Sequence, residues 1–287
     1  MSLKVWMNGE IIRSEDAKIG VYDHGLLYGD GVFEGIRAYG GQVFKMDRHL
    51  DRLYASAQAI RLTIPFTAEQ LSQAIYQTME ANSQSDAYVR LVVTRGPGDL
   101  GLDPAKSTGP AVFIITDKIA LCPEEMYKKG MEIITAKTVR TPAQSLNPQV
   151  KSLNYLNNIL AKIEACDAGV DEALMLSYDG FVAECTAENI FIVQEQKLLT
   201  PPVSAGILEG ITRDFVLELA GENGIEAEEK NLLPDDLYGA DECFLTGSAA
   251  EILPVTKIDG RTVGTGQPGP ITKRLIDSFH RHVNKQI

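Results

Sequence analysis

Three turn dipeptides set between β-type runs, Asn8-Gly9, Gly40-Gly41 and Asp179-Gly180, restrict the possible folds of this chain more than any other feature. Asn-Gly, Gly-Gly and Asp-Gly tolerate the positive φ angles that a two-residue hairpin turn demands, so each joins neighbouring antiparallel strands. KVWMNGEII and VFEGIRAYGGQVF read as hairpins, and EALMLS turns back on FVAECTAENIFIV, expected as one continuous strand. Strands that arrive in hairpins do not alternate one for one with helices, which argues against a doubly wound parallel sheet. The expected class is α+β.

Helical spacing fills the gaps. HLDRLYASAQAIRL places Leu50, Leu53, Ala57 and Ile60 on one face, and a second helix over roughly 67–82 starts at a Thr67 cap with Glu69 and Gln70 in its first turn. AYVRLVVTRG and PAVFIITDKI are strands joined by GPGDLGLDP, and residues 118–130 read as a connection. Beyond it, EIITAKTV is a strand and NYLNNILAKIEACDAG a helix closed by Gly169. ITRDFVLELAGENG and PITKRLIDSFHRHV are helices, and ECFLTGSAAEILPV is a strand entering a Gly-Ser turn. With 287 residues, 44% of them apolar, two domains suit the length: 1–120, a linker at 121–127, and a larger 128–287 domain carrying Lys151.

Charge and composition exclude several classes. The net charge of −12 repels phosphate backbones and anionic lipid, so neither nucleic acid nor membrane is an expected partner. MSLKVWMNGE lacks the apolar core of a secretory leader, and no apolar run approaches the roughly 20 residues of a membrane span. Cys122, Cys166, Cys185 and Cys243 are scattered and read as free thiols of a reducing compartment, with the cytoplasm as the expected location. His24, His49, His280 and His282 show no ligand spacing, so no metal is expected. GDGVFEG departs from the dinucleotide fingerprint and reads as a turn with close backbone packing.

The residues with chemical potential fall elsewhere. Lys151, in QVKSLNYLNNILA where a Pro-containing loop enters a helix, reads either as a solvent-facing helix start or as a Schiff-base lysine. A pyridoxal-phosphate enzyme needs such a lysine, a carboxylate against the pyridine nitrogen and a phosphate pocket. Glu184 sits among apolar residues in FVAECTAENIF, where a carboxylate is costly unless paired; a pyridinium or a structural salt bridge would serve, and Glu188 competes for the role. Gly210, Ile211 and Thr212 lie where a loop becomes a helix, and Gly247 and Ser248 begin a second turn with the amides of Ala249 and Ala250. Arg52 offers the full positive charge that a phosphate attracts.

YGDGVFEGIRAY, HLDRLYASA, YVR, VKSLNYLNN, GFVAECTAENIF, GILEGITRD and TGSAAEILPV follow one another in an order that resembles the class IV, or fold type IV, pyridoxal-phosphate aminotransferases, and among them the branched-chain enzymes. The resemblance implies a two-domain α+β fold like that of D-amino-acid aminotransferases, with pyridoxal 5'-phosphate as cofactor. It implies that Lys151 holds the cofactor covalently, Glu184 faces its ring nitrogen and Tyr155 its ring hydroxyl. Arg52, Gly210, Ile211, Thr212, Gly247 and Ser248 would hold the phosphate. Tyr28, Phe33, Gly35 and Tyr88 would line the side-chain pocket, and Arg37, Arg90, Ala249 and Ala250 would manage substrate carboxylates. Amino acids and 2-oxo acids are the implied partners, in a homodimer or a hexamer, with Tyr28 and the 100–103 loop serving the other subunit. KSLN, with four residues from Lys151 to Tyr155, also resembles D-amino-acid aminotransferases and aminodeoxychorismate lyases, which stand as the alternatives.

Overall fold

The computed structural model describes residues 2–118 and 124–285. The chain divides into two compact units: the described part of the first is 2–118 with 150–154, and that of the second is 124–149 with 155–285.

In the first unit, β1 (Lys4–Met7) and β2 (Glu10–Arg13) are joined by Asn8 at φ 51° and Gly9 at φ 106°, as the dipeptide predicts. A short helix α1 (His24–Tyr28) precedes the hairpin of β3 (Gly31–Tyr39) and β4 (Gln42–Val43). Then come α2 (Met46–Ala59) and α3 (Ala68–Ala81). In the cap of α3, Gln70 donates its backbone N–H to Thr67 Oγ1 and accepts the Thr67 N–H on its side chain. With β5 (Ala87–Thr94) and β6 (Ala111–Asp117), the strands form an antiparallel sheet ordered β2-β1-β6-β5-β3-β4.

Strand alternation decides what each face of this sheet carries. Val32 and Ile36 of β3, with Val89 and Leu91 of β5, pack against Leu50, Leu53, Leu71 and Ile75 of the two helices in one core. The opposite parity sends Phe33, Gly35, Arg37, Tyr88 and Arg90 to the other face, with Gly35 paired to Arg90 and Arg37 to Tyr88. Val150 joins the same core, Phe33 donates its N–H to the Lys151 carbonyl at 3.0 Å, and Val32 bridges Ser152. These contacts place the lysine segment with the first unit.

The second unit opens with α4 (Glu124–Lys129), where a connection was expected. EEMYKK consists of good helix formers, with Glu at its start, Lys at its end and a Glu125–Lys129 pair one turn apart. The remainder of the expected linker, 121–123 with Cys122, lies outside the described residues. There follow β7 (Met131–Thr135), α5 (Leu156–Ala168), β8 (Glu172–Leu176), β9 (Val182–Cys185), β10 (Asn189–Gln194) and β11 (Lys197–Thr200). Next are α6 (Ile211–Glu222), β12 (Ala227–Glu229), α7 (Pro234–Tyr238) and β13 (Glu242–Gly247). The unit ends with β14 (Glu251–Ile258), β15 (Arg261–Thr262) and α8 (Pro270–Lys285). The sheet is ordered β12-β11-β10-β13-β14-β7-β8-β9, with β15 on β14. Its β11/β12, β14/β7 and β7/β8 pairs are parallel.

FVAECTAENIFIV is two strands rather than the single one expected. β9 pairs with β8 while β10 pairs with β11 and β13, so the chain must change partners at 186–188. Cys185 closes that break by donating its N–H to the Glu188 carbonyl at 2.8 Å. The expected helices over ITRDFVLELAGENG and PITKRLIDSFHRHV are present as α6 and α8. Among the described residues no helix is long and apolar enough to cross a membrane, and Cys166, Cys185 and Cys243 are free.

Candidate active site

On the face of the first sheet away from its helices, two cations share one aromatic ring. Lys151 Nζ lies 4.6 Å from the Phe33 ring centroid and the Arg90 guanidinium carbon 4.5 Å from it. Arg90 Nη2 also donates to Tyr88 Oη at 3.3 Å. Gly35 makes this arrangement possible, because a Cβ there would stand 2.1 Å from Tyr88 Oη. Lys151 is fixed through its backbone, its N–H donating to Ser56 Oγ at 3.1 Å and its carbonyl accepting from Phe33. Both anchors are main-chain groups. Arg37 lies beside Tyr39, 4.6 Å from the ring. Tyr28 sits apart on α1, donating its hydroxyl to the Leu100 carbonyl at 2.8 Å. Phe33, Gly35, Tyr88, Arg90 and Lys151 are thus gathered into one cationic, aromatic patch in a chain of net charge −12. Such a patch attracts anions.

Arg52 is on the helix side, and its position depends on Glu34, a residue that carries no role in the sequence reading. Glu34 has the parity of the core residues and is fully buried. Its Oε1 accepts from Arg52 Nε at 2.7 Å, and its Oε2 accepts from Arg52 Nη2 at 2.9 Å and His49 Nδ1 at 2.7 Å. Burial pushes the carboxyl upward, but the Arg52 charge and the bonds from His49 and Arg52 outweigh it and hold Glu34 at about 2. Burial lowers His49 against the pull of Glu34, so the imidazole is neutral near pH 7 and donates its Nδ1–H. A signal for Glu34 is present in the sequence: a carboxylate inside the apolar run VFEGI raises the same question as Glu184.

In the second unit the break between β9 and β10 brings Glu184 beside Asn189. Glu184 is 6% exposed. Its Oε1 accepts from Arg140 Nε at 2.8 Å, and its Oε2 accepts from the Leu208 N–H at 3.0 Å and Asn189 Nδ2 at 3.3 Å. Asn189 Nδ2 also donates to the Leu208 carbonyl at 2.9 Å, which stitches the carboxylate to the turn entering α6. That helix begins at Ile211 behind Gly210, with no side-chain cap, so the first-turn amides of Ile211 and Thr212 form a positive helix end. A Cβ on Gly210 would lie 2.0 Å from Asn189 Oδ1, so the close approach requires glycine.

The β10/β13 register then sets Asn189 opposite Thr246, whose buried Oγ1 has no hydrogen-bond partner among the described residues. The Gly247–Ala250 turn follows. Tyr127 donates its hydroxyl to the Ala250 carbonyl at 3.1 Å, and Glu251, at φ 56°, meets His280 Nε2 at 2.8 Å. Tyr155 stands at the N-cap of α5, its carbonyl accepting from the Ile159 N–H. Glu188, half-buried as a residue, has an enclosed carboxyl that burial and the nearby charge of Glu172 push up to about 8. It carries a proton near pH 7, whereas Glu184 is clasped by three donors suited to an anion.

Each unit's donors, taken by themselves, suit part of a phosphorylated pyridine aldehyde. The second unit offers an anionic carboxylate for a ring nitrogen, an uncapped helix N-terminus for a phosphate and a buried hydroxyl without a partner. The first offers an amine held among other cations for the aldehyde. Among the described residues no group of His, Cys, Asp or Glu could hold a metal ion.

The amino-transferase class IV family model matches residues 31–258, and the chain belongs to that family. Its α+β architecture is accordingly fold type IV. A Methanocaldococcus jannaschii protein, provisionally named a branched-chain-amino-acid aminotransferase, is 53% identical over 277 residues, covering 96% of this chain and 95% of its own. The branched-chain-amino-acid aminotransferase of Pseudomonas aeruginosa is 38% identical, covering 96% and 91%. The D-alanine aminotransferase of Bacillus licheniformis is 38% identical as well, covering 98% and 97%. Among solved structures, the Escherichia coli branched-chain enzyme superposes with a TM-score of 0.95 at 35% identity, covering 98% of this chain and 94% of its own. The Thermobaculum terrenum branched-chain amino acid aminotransferase, solved in its PLP form, gives 0.91 at 34% identity, covering 100% and 95%.

Proposed function

We propose that the protein binds pyridoxal 5'-phosphate and exchanges amino groups between branched-chain L-amino acids, leucine, isoleucine and valine, and 2-oxoglutarate. The observation that carries this reading is the pairing of an aromatic wall with a cation. Phe33 and Tyr88 suit an apolar branched side chain, and Arg90, in contact with both rings, suits the second carboxylate of glutamate. A transaminase of this kind must accept both in turn.

When bound, the cofactor supplies an aldehyde to take the amino group and a ring to delocalise the electron pair left at the substrate Cα. Lys151 would hold that aldehyde, and its Nζ would take and return the proton at the substrate Cα. Glu184 would hold a proton on the ring nitrogen, and Tyr155 would meet the ring hydroxyl. Arg52, the amides behind Gly210 and Gly247, and the hydroxyls of Thr212 and Ser248 would hold the phosphate. Arg37, Arg90 and the Ala249–Ala250 amides hold substrate carboxylates.

The exposed stripe Leu156, Ile159, Leu160 and Ile163 on α5 supports a homodimer, since its residues recur at helical spacing and are 47–66% exposed. Free thiols and the lack of an apolar spanning helix among the described residues suit the cytoplasm.

Steady-state exchange of L-leucine with 2-oxoglutarate, following both products, tests the reading. Equimolar 4-methyl-2-oxopentanoate and L-glutamate are expected. The D-alanine aminotransferase relative makes D-amino-acid exchange the second reading, and turnover of D-alanine with none of L-leucine would establish it. Pyruvate release from aminodeoxychorismate would indicate the lyase. Gly35→Ala must displace Tyr88, at a cost of about 1–3 kcal/mol for the overpacked wall. The KM for L-leucine should then rise about tenfold while the cofactor stays bound; an unchanged KM would remove Tyr88 from the pocket wall.

A further inference from the structure

We infer that Arg140 is a positioning residue that keeps Glu184 an anion and aims its carboxylate at the cofactor ring nitrogen. The inference rests on the pyridoxal-phosphate reading and adds to it Arg140, on which the local sequence KTVRTP gives no signal. Both partners are nearly enclosed, with side-chain exposures of 13% and 7%. A carboxylate in such a place readily takes a proton unless a permanent charge accompanies it, and arginine supplies one at every accessible pH.

Arg140 is held rather than merely near. Its N–H donates to the Leu176 carbonyl at 2.8 Å at the end of β8. Its Nη1 donates to Asn157 Oδ1 at 3.3 Å and Asn158 Oδ1 at 3.2 Å, on the first turn of α5. Asn157 also grips the backbone on both sides of Arg140, accepting from the Thr141 N–H at 3.1 Å and donating to the Val139 carbonyl at 2.9 Å. Asn158 in turn donates to the Thr186 carbonyl at 2.7 Å, in the break between β9 and β10. The guanidinium is thus fastened to α5 on one edge and to Glu184 Oε1 on the other, while the Leu208 N–H and Asn189 fix Oε2. These contacts hold both carboxylate oxygens, and Arg140 brings a full positive charge to Oε1.

The test uses holoenzyme loaded with ring-¹⁵N pyridoxal phosphate, in wild type and in Arg140→Met, Arg140→Lys, Glu184→Gln and the Met/Gln double variant. Wild type and Arg140→Lys, which keeps the charge, should show a protonated ring nitrogen; Arg140→Met should show a neutral pyridine. Loss of an outer partner of this kind typically costs about 10- to 100-fold, expected here in kcat with the KM for L-leucine little changed. In the Glu184→Gln background, Arg140→Met should add less than about threefold, because its effect passes through Glu184. Arg140→Gln substitutes for the Met variant if that protein does not fold. A protonated nitrogen in the neutralising variants, or losses that multiply in the double variant, overturns the inference. Borohydride reduction of wild type separates the two readings: without a covalent adduct at Lys151 it is the cofactor assignment that fails.

Discussion

Replacing Lys151 with alanine is expected to abolish covalent cofactor and to slow amino-group exchange by on the order of a thousandfold or more, because in the proposed function one side chain would both hold the aldehyde and move the Cα proton. The fold should survive. Lys151 is anchored by its N–H on Ser56 and its carbonyl under the Phe33 N–H, and both are main-chain groups that alanine keeps. The substitution removes the ammonium from the Phe33 ring and leaves Arg90 there, so the aromatic wall keeps a cation. Intact mass after borohydride reduction checks the claim: wild type should gain one reduced cofactor and Lys151→Ala none. An adduct on the variant would move the covalent attachment to another lysine and dismantle the mechanism built on this one.

Glu34→Gln is the second large effect, and it is chiefly an effect on stability. Glu34 is the anion beneath Arg52 and His49, and removing one partner of a buried ion pair typically costs about 3–5 kcal/mol. The loss should depend on pH. The carboxyl is held at about 2 in the folded protein against an ordinary value of 4.5. The unfolded chain therefore binds the proton more readily, and the pairing stabilises the fold fully above about pH 4.5. That contribution, about 3 kcal/mol at roughly 1.4 kcal/mol per unit, is lost as the pH falls from 4.5 toward 2. Urea unfolding at pH 7 and pH 3.5 should show the gap between wild type and Glu34→Gln narrowing at the lower pH. An equal gap at both values would mean that Glu34 acts through packing and not through charge. Since Glu34 also aims Arg52, cofactor affinity should weaken in the variant even where it remains folded.

The parts of this fold that rest on short-range chemistry are legible in the sequence. Asn8-Gly9 and Gly40-Gly41 make the hairpins they predict, Thr67 caps α3, and Gly169 closes α5 at φ 71°. The parts that rest on a change of partner are not. FVAECTAENIFIV alternates as one strand would, and only the pairing of β9 with β8 and of β10 with β13 breaks it at 186–188. That break matters for the site, because it turns Asn189 back toward Glu184. EEMYKK lies behind a Pro and is too short for a periodic pattern, so α4 reads as a connection. Arg140 carries no local signal either: KTVRTP gives no reason to pair it with a carboxylate 44 residues further on. Glu34 does carry one, the buried acid of VFEGI, but the neighbouring glycines draw attention to the turn instead.

The central claim, that Lys151 and its companions run amino transfer on apolar L-amino acids, is tested most directly by a single half-reaction. Purified protein loaded with pyridoxal phosphate is mixed with L-leucine, L-glutamate or D-alanine, with no 2-oxo acid present, and the cofactor absorbance and released oxo acid are followed together. Conversion of the cofactor to its aminated form, with one equivalent of oxo acid per site from L-leucine and from L-glutamate but not from D-alanine, is the predicted result. Conversion by D-alanine alone, or no conversion by any of the three, would contradict it.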